Sequence, residues 1–284
     1  MVSSRRTASP LEPLLAELRA LADRIGAAEV GTNPRATKLA REALDAVTQQ
    51  LATVAAGLDP VLRPASIFDP TDPNTAGRVV ALTLVAQDRH RLSAIPAFYG
   101  AGVYAIYYCG DFAPYAPLAG TDHPIYVGKA DPESQAAKDS ISQGTKLSGR
   151  LNEHAKSIRK ATTTLSIDDF ECRFLIVQTG FQKSAEDYLI RFFSPIWNSE
   201  TKICFGLGKH GDSADTRANK RSPWDTMHPG REWANDPATQ DQKARKLILS
   251  QIAGHLASNP AYSDIHQIFE RFMADMRQLN TERI

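Results

Sequence analysis

The amino-acid sequence predicts an α+β fold, with a small sheet in the middle of the chain and helices at both ends. Near both termini, apolar residues recur every three or four positions, as Leu14, Leu18 and Leu21 do. In the middle, short β-branched and aromatic runs appear, and residues 170–176 alternate along the chain. Spacings of three and four are typical of helices, and alternation is typical of strands.

Residues 1–64 are expected to form a helical N-terminal extension. A first helix is predicted over residues 11–28. A second begins after Asn33, because Asn is a favoured N-cap and Pro34 suits the first helical position. We expect the two helices to run antiparallel and to pack on the main body or on a second subunit.

The central region, residues 65–235, is expected to hold the sheet. It opens with a linker rich in Pro and Asp, at residues 60–73. Its predicted elements are a helix at 75–92, strands at 103–108, 125–127 and 170–176, and a helix at 146–160. The sequence Ser184-Ala185-Glu186-Asp187 resembles a capping box, which predicts that a further helix begins there and ends before Pro195.

The last part of the chain is expected to be a long loop followed by two helices. Residues 205–233 contain many Gly and Pro residues, which favour a loop. Residues 236–284 are expected to form a C-terminal helical hairpin. Ile248 and Ile252 mark its first amphipathic helix, and Phe269 and Phe272 mark its second.

Composition limits the classes of protein to which the chain can belong. Its 284 residues are 42% hydrophobic and 23% charged, which excludes wholesale disorder. A formal net charge of +1 excludes a uniformly basic nucleic-acid wrapper. The sequence contains no run of about 18 apolar residues, so no membrane span is predicted. No signal peptide is evident. The three widely spaced cysteines are expected to be reduced thiols of a cytoplasmic protein.

Two tyrosines and an Arg–His pair are the first candidates for chemistry. Tyr104 and Tyr126 lie on predicted strands, where a Tyr is more often a core residue than a functional one. Arg150 and His154 are four residues apart and share one helix face. The pair suits an anionic substrate, because Arg is a fixed bidentate donor and His exchanges protons near neutral pH. The alternative is a solvated helix face.

Glu186 and Asn198 are the next candidates. Glu186 lies in the first turn of its predicted helix, where a carboxylate complements the helix dipole or binds a hard metal ion. Asn198 lies just beyond the end of that helix, where it caps backbone groups or reaches back into the same site. For each residue, both interpretations stay open on its own position alone.

Taken together and in this order, these residues resemble the GIY-YIG nuclease family. The match comprises Gly102-Val103-Tyr104, Ile125-Tyr126-Val127-Gly128, Arg150 with His154, Glu186 and Asn198. The resemblance implies a small three-stranded antiparallel sheet flanked by helices, one divalent metal ion, and hydrolysis of phosphodiester bonds. The insertion at residues 110–124 lengthens the gap between the tyrosines and sets the chain apart from the repair and homing branches.

The downstream sequence is similar to a narrower group. The segments Phe205-Gly206-Leu207-Gly208-Lys209-His210, Lys220-Arg221-Ser222-Pro223-Trp224-Asp225 and His228-Pro229-Gly230-Arg231 resemble the GIY-YIG type II restriction endonucleases that cut CCGCGG, the SacII isoschizomers. Lys129, directly after Gly128, is similar too. The resemblance spans about residues 65–234. It implies a site-specific deoxyribonuclease that makes double-strand cuts at a short GC-rich palindrome.

The resemblance and the needs of phosphodiester hydrolysis suggest a role for each candidate. Glu186 would bind one Mg²⁺ ion, and Arg150 would bind the scissile phosphate. Tyr104 is the candidate general base, and Lys129 is the alternative. Because an ordinary Tyr pKa is about 10, nearby cations would have to favour the phenolate. Tyr126 and His154 would orient the water and the phosphate by hydrogen bonds. Asn198 would fix Glu186 or the phosphate.

Base recognition is expected from the loop after the sheet. Arg pairs with guanine and Asp accepts from cytosine, which suits a target made of G·C pairs. The candidates are His210, Arg217, Lys220, Arg221, Asp225, His228 and Arg231. The alternative is that Arg231 and Trp224 only hold a long loop to the body. The insertion at residues 110–124 is another candidate for DNA contact.

The expected partners follow from a palindromic target. Two-fold symmetric DNA calls for a two-fold symmetric protein, so we expect a homodimer on double-stranded DNA. A cognate DNA methyltransferase is the expected functional partner. Two other functions compete with this one: a GIY-YIG repair or homing nuclease that nicks DNA or cuts branched structures, and a binding protein with a degraded nuclease core.

Overall fold

The computed structural model describes residues 10–28, 33–58, 61, 68–208 and 220–281, with side chains up to residue 277. The chain divides into two compact units, one up to residue 65 and the other from residue 66 to residue 283. His210, Arg217 and part of the predicted linker lie outside the described residues.

The N-terminal unit contains two helices, α1 (Leu11–Gly26) and α2 (Pro34–Gly57). Asn33 caps α2, because its side chain accepts a hydrogen bond from the Arg35 backbone N–H at 3.0 Å. Both predicted helices and the predicted cap are confirmed. Neither helix contributes a buried residue, so the apolar stripe of each is open to solvent.

The second unit is built on a four-stranded antiparallel sheet. Its strands are β1 (His90–Arg91), β2 (Gly102–Tyr108), β3 (Tyr126–Ala130) and β4 (Phe170–Ile176), in the spatial order β1, β4, β2, β3. All seven residues of β2 are buried, because β2 is an inner strand covered on both faces. The predicted α+β class and the three predicted strands are confirmed, and β1 adds a short fourth strand at one edge.

Helices cover both faces of the sheet. They are α3 (Pro73–Val85), α4 (Lys146–Lys160), α5 (Gln182–Phe193), α6 (Pro223–Met227), α7 (Arg245–Ser258) and α8 (Ile265–Thr281). Successive residues of β2 point to opposite faces. Tyr104 and Ile106 join the core layer of α4 and α7, whereas Val103 and Ala105 join the layer of α3, α5 and α8.

The two C-terminal helices are buried in different core layers. Ile248 and Ile252 of α7 are buried in one core layer, and Ile268 and Phe272 of α8 are buried in the other. Both predicted helices are therefore present, and their arrangement as a C-terminal hairpin stays a prediction. Each apolar stripe is covered by its own layer, so neither helix needs the other as its partner.

The helix predicted at residues 75–92 ends early, at Val85. The chain then turns back, and His90 pairs with Cys172 at the edge of the sheet. Arg89 holds this return in place, because its guanidinium donates a hydrogen bond of 2.6 Å to the Asp122 carboxylate. Pairing with β4 and this ion pair outweigh local helix propensity, which tertiary contacts commonly override.

The predicted capping box is wrong, because α5 begins at Gln182. Gln182 Oε1 accepts a hydrogen bond from the Gly180 N–H at 2.8 Å, just before the helix. Ser184 lies inside the first turn and packs against Gly77 of α3. A small residue at this position lets the two helices approach closely.

Two simpler expectations concern the cysteines and the membrane. Cys109, Cys172 and Cys204 are free thiols, as predicted. In the part of the chain that the structure describes, no helix is both long enough and apolar enough to cross a bilayer.

Candidate active site

Tyr104 on β2 is the centre of the site and is fully buried. In the register of β2 and β3 it lies opposite Gly128. A Cβ on residue 128 would lie 2.5 Å from the Tyr104 hydroxyl oxygen, which is closer than real Cβ atoms approach. Glycine is therefore required at this position so that the Tyr104 ring can lie across β3.

Helix α4 supplies the residues that meet the tyrosines. The Tyr104 hydroxyl and His154 Nε2 are 2.6 Å apart, which is a short hydrogen bond. The His154 ring also lies 5.1 Å from the Tyr126 ring, measured between centroids. His154 is buried, so the predicted alternative of a solvated helix face does not hold for it. Arg150 lies one turn earlier on α4.

An open cleft of about 650 Å³ lies beside this cluster. Four predicted site residues line it, namely Tyr126, Lys129, Arg150 and Glu186. The other lining residues are Ala130, Asp131, Thr145, Lys146, Gly149 and Glu153. Tyr104 contacts the cleft through Tyr126, because the two rings lie 6.1 Å apart between centroids. The structure thus brings these four predicted residues, a carboxylate, two cations and a hydroxyl among them, to the same opening.

Burial shifts the protonation of the two groups that matter most. It raises the pKa of the Glu186 carboxyl to about 7, and nearby Lys129 opposes the shift. Burial also raises the pKa of the Tyr104 hydroxyl well above its usual range, with Tyr126 adding to the shift and Arg150 opposing it. Tyr104 is therefore a neutral hydroxyl at rest, and His154 is the group placed to accept its proton.

Two carboxylates in the cleft were missed by the sequence analysis. Glu153 Oε2 lies 2.9 Å from Arg150 Nη1, and Asp131 forms an ion pair with Lys129. The signal for both was spacing, because residues three apart on a helix or two apart along a strand share a face. The ion pair with Asp131 engages the Lys129 side-chain nitrogen at the cleft.

Asn198 bonds to backbone groups, which is the first of the two roles left open for it by its position. Its side-chain oxygen accepts a hydrogen bond from the Val127 N–H at 3.0 Å, and its amide nitrogen donates to the Val127 carbonyl at 2.8 Å. Asn198 is itself buried. These two hydrogen bonds to β3 fix the strand that carries Tyr126 and Lys129, and they engage the Asn198 amide away from Glu186.

Glu186 is suited to a hard metal ion. Among the described residues, no group of three or more His, Cys, Asp or Glu side chains is placed to hold a metal. Mg²⁺ usually binds through one or two carboxylates and keeps several waters. Glu186 meets this requirement, because the other two carboxylates of the cleft pair with Lys129 and Arg150 and the open cleft has room for the waters.

Most predicted base-reading residues with a described position hold the protein together. Arg231 and Asp225 form a buried bidentate ion pair, with Nε–Oδ1 and Nη2–Oδ2 distances of 2.6 Å and 2.7 Å. His228 is completely buried, and its ring nitrogens bond to Tyr115 at 2.6 Å and to Thr164 at 2.9 Å. Their polar groups are therefore engaged inside the fold and do not reach a base edge in this structure.

Of the remaining predicted DNA contacts, some are structural and one is exposed. Arg221 donates to the Ala234 carbonyl at 2.7 Å and pairs with Asp241 at 3.0 Å, so it pins the loop. The insertion at residues 110–124 buries Tyr115 and Leu118 in the core, which makes it structural. Lys220 is exposed and stays a candidate for DNA contact. The alternative that this region holds itself to the body is therefore correct for most of it.

The fold and the cleft define a GIY-YIG nuclease: a small antiparallel sheet with paired strand tyrosines, and an Arg and a Glu from flanking helices. The family profile described as the Eco29kI GIY-YIG domain matches residues 96–256, which is more than half of the chain. The chain therefore belongs to this restriction endonuclease family of GIY-YIG nucleases. No curated protein matches the chain. The profile continues past residue 235 into α7, as the packing of that helix on the core requires.

Proposed function

We propose that this protein is a type II restriction endonuclease that hydrolyses one phosphodiester bond in each strand of a short GC-rich palindrome, CCGCGG. The observation that supports this proposal best is the single cleft in which Arg150, Glu186, Lys129 and Tyr126 meet. A phosphate group needs cations to bind it, a carboxylate to hold a metal ion, and hydroxyls to orient water. The cleft supplies all three.

Glu186 is the residue that would hold one Mg²⁺ ion in this cleft. When bound, the ion supplies positive charge for the departing 3′ oxygen and the non-bridging oxygens. Lys129, beside Glu186, adds a fixed positive charge that favours the ionised carboxylate. Because the carboxylate is half-buried, solvent screens these charges less than it would at the surface.

Arg150 binds the scissile phosphate, and the two tyrosines orient the attacking water and take part in its deprotonation. The water oxygen forms a bond to phosphorus, the bond from phosphorus to the 3′ oxygen breaks, and the departing oxygen takes up a proton from solvent. Tyr126 orients the water at the cleft. The Tyr126 hydroxyl, hydrogen-bonded to Tyr104, takes up the proton of the water and passes its own proton to Tyr104, as the Tyr104 proton passes to His154 Nε2 along the 2.6 Å hydrogen bond.

A homodimer is part of the proposal, because a palindrome has an equivalent scissile phosphate in each strand, related by two-fold symmetry. The N-terminal helices offer the surface. In α2 and its C-cap, Leu44, Val47, Leu51, Val54 and Leu58 recur with the alternating three–four spacing of a coiled-coil seam, and each is between 41% and 61% exposed. We place the enzyme in the cytoplasm, where its DNA and a cognate methyltransferase would be found.

Plasmid cleavage tests the function. Incubation with Mg²⁺ and a plasmid that carries CCGCGG sites is expected to yield discrete double-strand fragments whose ends lie within those sites. A matched plasmid with every CCGCGG site altered should stay intact. Discrete fragments from the altered plasmid would overturn the target sequence, and nicking or cutting of branched DNA would favour the repair or homing alternative.

A further inference from the structure

Gly208 forms part of the surroundings of the active-site arginine. A Cβ on residue 208 would lie 2.7 Å from Arg150 Nη2 and 3.7 Å from His154 Cε1. The Gly208 backbone therefore lies directly against these two side chains. Nothing in the resemblance gave this glycine a role in the site.

The guanidinium of Arg150 is held between two neighbours. Glu153 Oε2 lies 2.9 Å from its Nη1, and Gly208 lies next to its Nη2. A free arginine side chain has many rotamers, and fixing it beforehand lowers the entropic cost of binding a phosphate in one geometry. Gly208 limits the rotamers of Arg150 from one side and Glu153 limits them from the other.

A buried ion pair fixes the segment that carries Gly208. Arg231 donates to the Gly206 carbonyl at 2.9 Å and to the Leu207 carbonyl at 3.1 Å. The Asp225 carboxylate orients the same guanidinium and receives a 2.5 Å hydrogen bond from the Ser222 hydroxyl. Arg231 and Asp225 are both almost completely buried, so the two backbone carbonyls before Gly208 are held by a group that itself has little freedom.

We propose that Gly208, held by the Arg231–Asp225 pair, positions Arg150 for the scissile phosphate. The proposal rests on the proposed nuclease function. It makes Gly208, Arg231 and Asp225 positioning residues that act through Arg150 and do not touch the DNA. It also gives the buried pair a role in catalysis in addition to its role in folding.

The central test is Gly208→Ala, with Gly254→Ala as the matched control. A Cβ at residue 254, on α7, meets nothing within 4 Å, whereas a Cβ at residue 208 pushes on Arg150. We expect Gly208→Ala to lower kcat about 10- to 100-fold, as displacement of a positioned group by about 1 Å does. KM for the DNA duplex and the Tm should change little. Gly254→Ala should cleave like the wild type.

A second readout follows Arg150 directly, without activity. The ¹H–¹⁵N signal of the Arg150 Nε–H group, assigned by its loss in Arg150→Lys, should shift in Gly208→Ala and stay in place in Gly254→Ala. Arg231→Lys, which keeps the charge but loses the double contact with the carbonyls, should shift the same signal. If Arg231→Lys does not fold, Gly208→Ala still decides the question.

Each outcome has a defined meaning. A wild-type kcat and an unmoved Arg150 signal in Gly208→Ala would overturn the positioning role. A fall in activity that is accompanied by a fall in Tm, with the Arg150 signal unchanged in the folded protein, would also overturn the positioning role. It would leave Gly208 only a structural role. If the wild type itself cleaves no DNA, the proposed function fails, and the Arg150 signal still tests the positioning on its own.

Discussion

Glu186 is the single side chain on which the proposed chemistry depends most. Replacing it with Gln keeps its size and removes the negative charge that a hard cation requires. We predict that Glu186→Gln binds duplex DNA like the wild type and loses Mg²⁺-dependent cleavage by about 1,000-fold or more. Gel-shift and plasmid assays on the same preparation measure both properties.

The control for this variant is Glu232→Gln, which makes the same change at an exposed ion pair with Lys160. It should cleave normally. Near wild-type cleavage by Glu186→Gln would remove Glu186 from the metal site.

Tyr104→Phe tests the route of the proton. The variant removes the hydroxyl that lies 2.6 Å from His154 Nε2 and leaves the ring in place. We predict a fall in kcat of about 100- to 10,000-fold, the usual contribution of a general acid–base group. Tyr107→Phe is the matched control, because Tyr107 is buried on the same strand but in the opposite core layer. A loss below tenfold in Tyr104→Phe would return the role to Lys129.

His228 makes the stability of the fold dependent on pH. Burial lowers its pKa to about 3, so the folded protein keeps it neutral while the unfolded chain binds a proton below pH about 6.5. Its contribution is complete above that pH and is lost as the pH falls from about 6.5 toward 3. Between pH 7 and pH 5 we predict a loss of about 2 kcal/mol in the free energy of unfolding from this residue.

Urea unfolding of His228→Gln at the two pH values checks this prediction, since the variant should lose that part of the pH dependence. His266→Gln, at an exposed position, should keep the wild-type dependence. An unchanged dependence in His228→Gln would show that His228 is not the group responsible.

At the scale of elements, Asn198 ties the end of α5 to β3. Asn198→Leu would leave the N–H and the carbonyl of Val127 without these partners in a buried position, at a cost of about 1–3 kcal/mol for each group. We predict a loss of about 2–5 kcal/mol in the free energy of unfolding and faster hydrogen exchange of the Val127 amide.

Asn259→Leu is the control for this prediction, because Asn259 is exposed and also bonds to a backbone carbonyl. It should cost less than about 1 kcal/mol. If Asn198→Leu is as stable as the control variant, the bonds to Val127 do not hold the strand.

The elements that could be predicted from the sequence are those whose residue pattern repeats over several positions. The run of buried residues in β2 and the four-residue spacing of Arg150 and His154 are local patterns, and the structure kept both. β1 is only two residues long, which is too short for an alternating pattern to be recognised in the sequence. For Asn198 and Arg231, the sequence left a structural and a functional role open for another reason. A polar side chain looks the same in sequence whether it meets DNA or a buried backbone group, and only the tertiary fold decides between them.

At the scale of the whole molecule, the N-terminal helices are predicted to join two copies of the chain. In Leu44→Glu combined with Leu51→Glu, two half-exposed seam residues of α2 become charged. A charge in a buried seam is costly, so we expect sedimentation to show a shift from dimer toward monomer. The variant should also lose concerted double-strand cleavage and retain slower nicking.

Gln49→Glu is the matched control, because it places the same residue on the opposite face of the same helix. It should remain dimeric. A double variant that sediments and cuts like the wild type would exclude this surface as the dimer contact.

The placement of α8 sets the order in which the protein can be completed during synthesis. Ile268 and Phe272 pack in the layer that also holds Val103 and Ala105 of β2, residues made far earlier. Until translation has passed residue 272, that layer lacks the Ile268 and Phe272 side chains, and α3 and α5 alone cover the sheet on that side. A chain stalled on the ribosome before that point therefore holds every cleft residue beside an incomplete core layer.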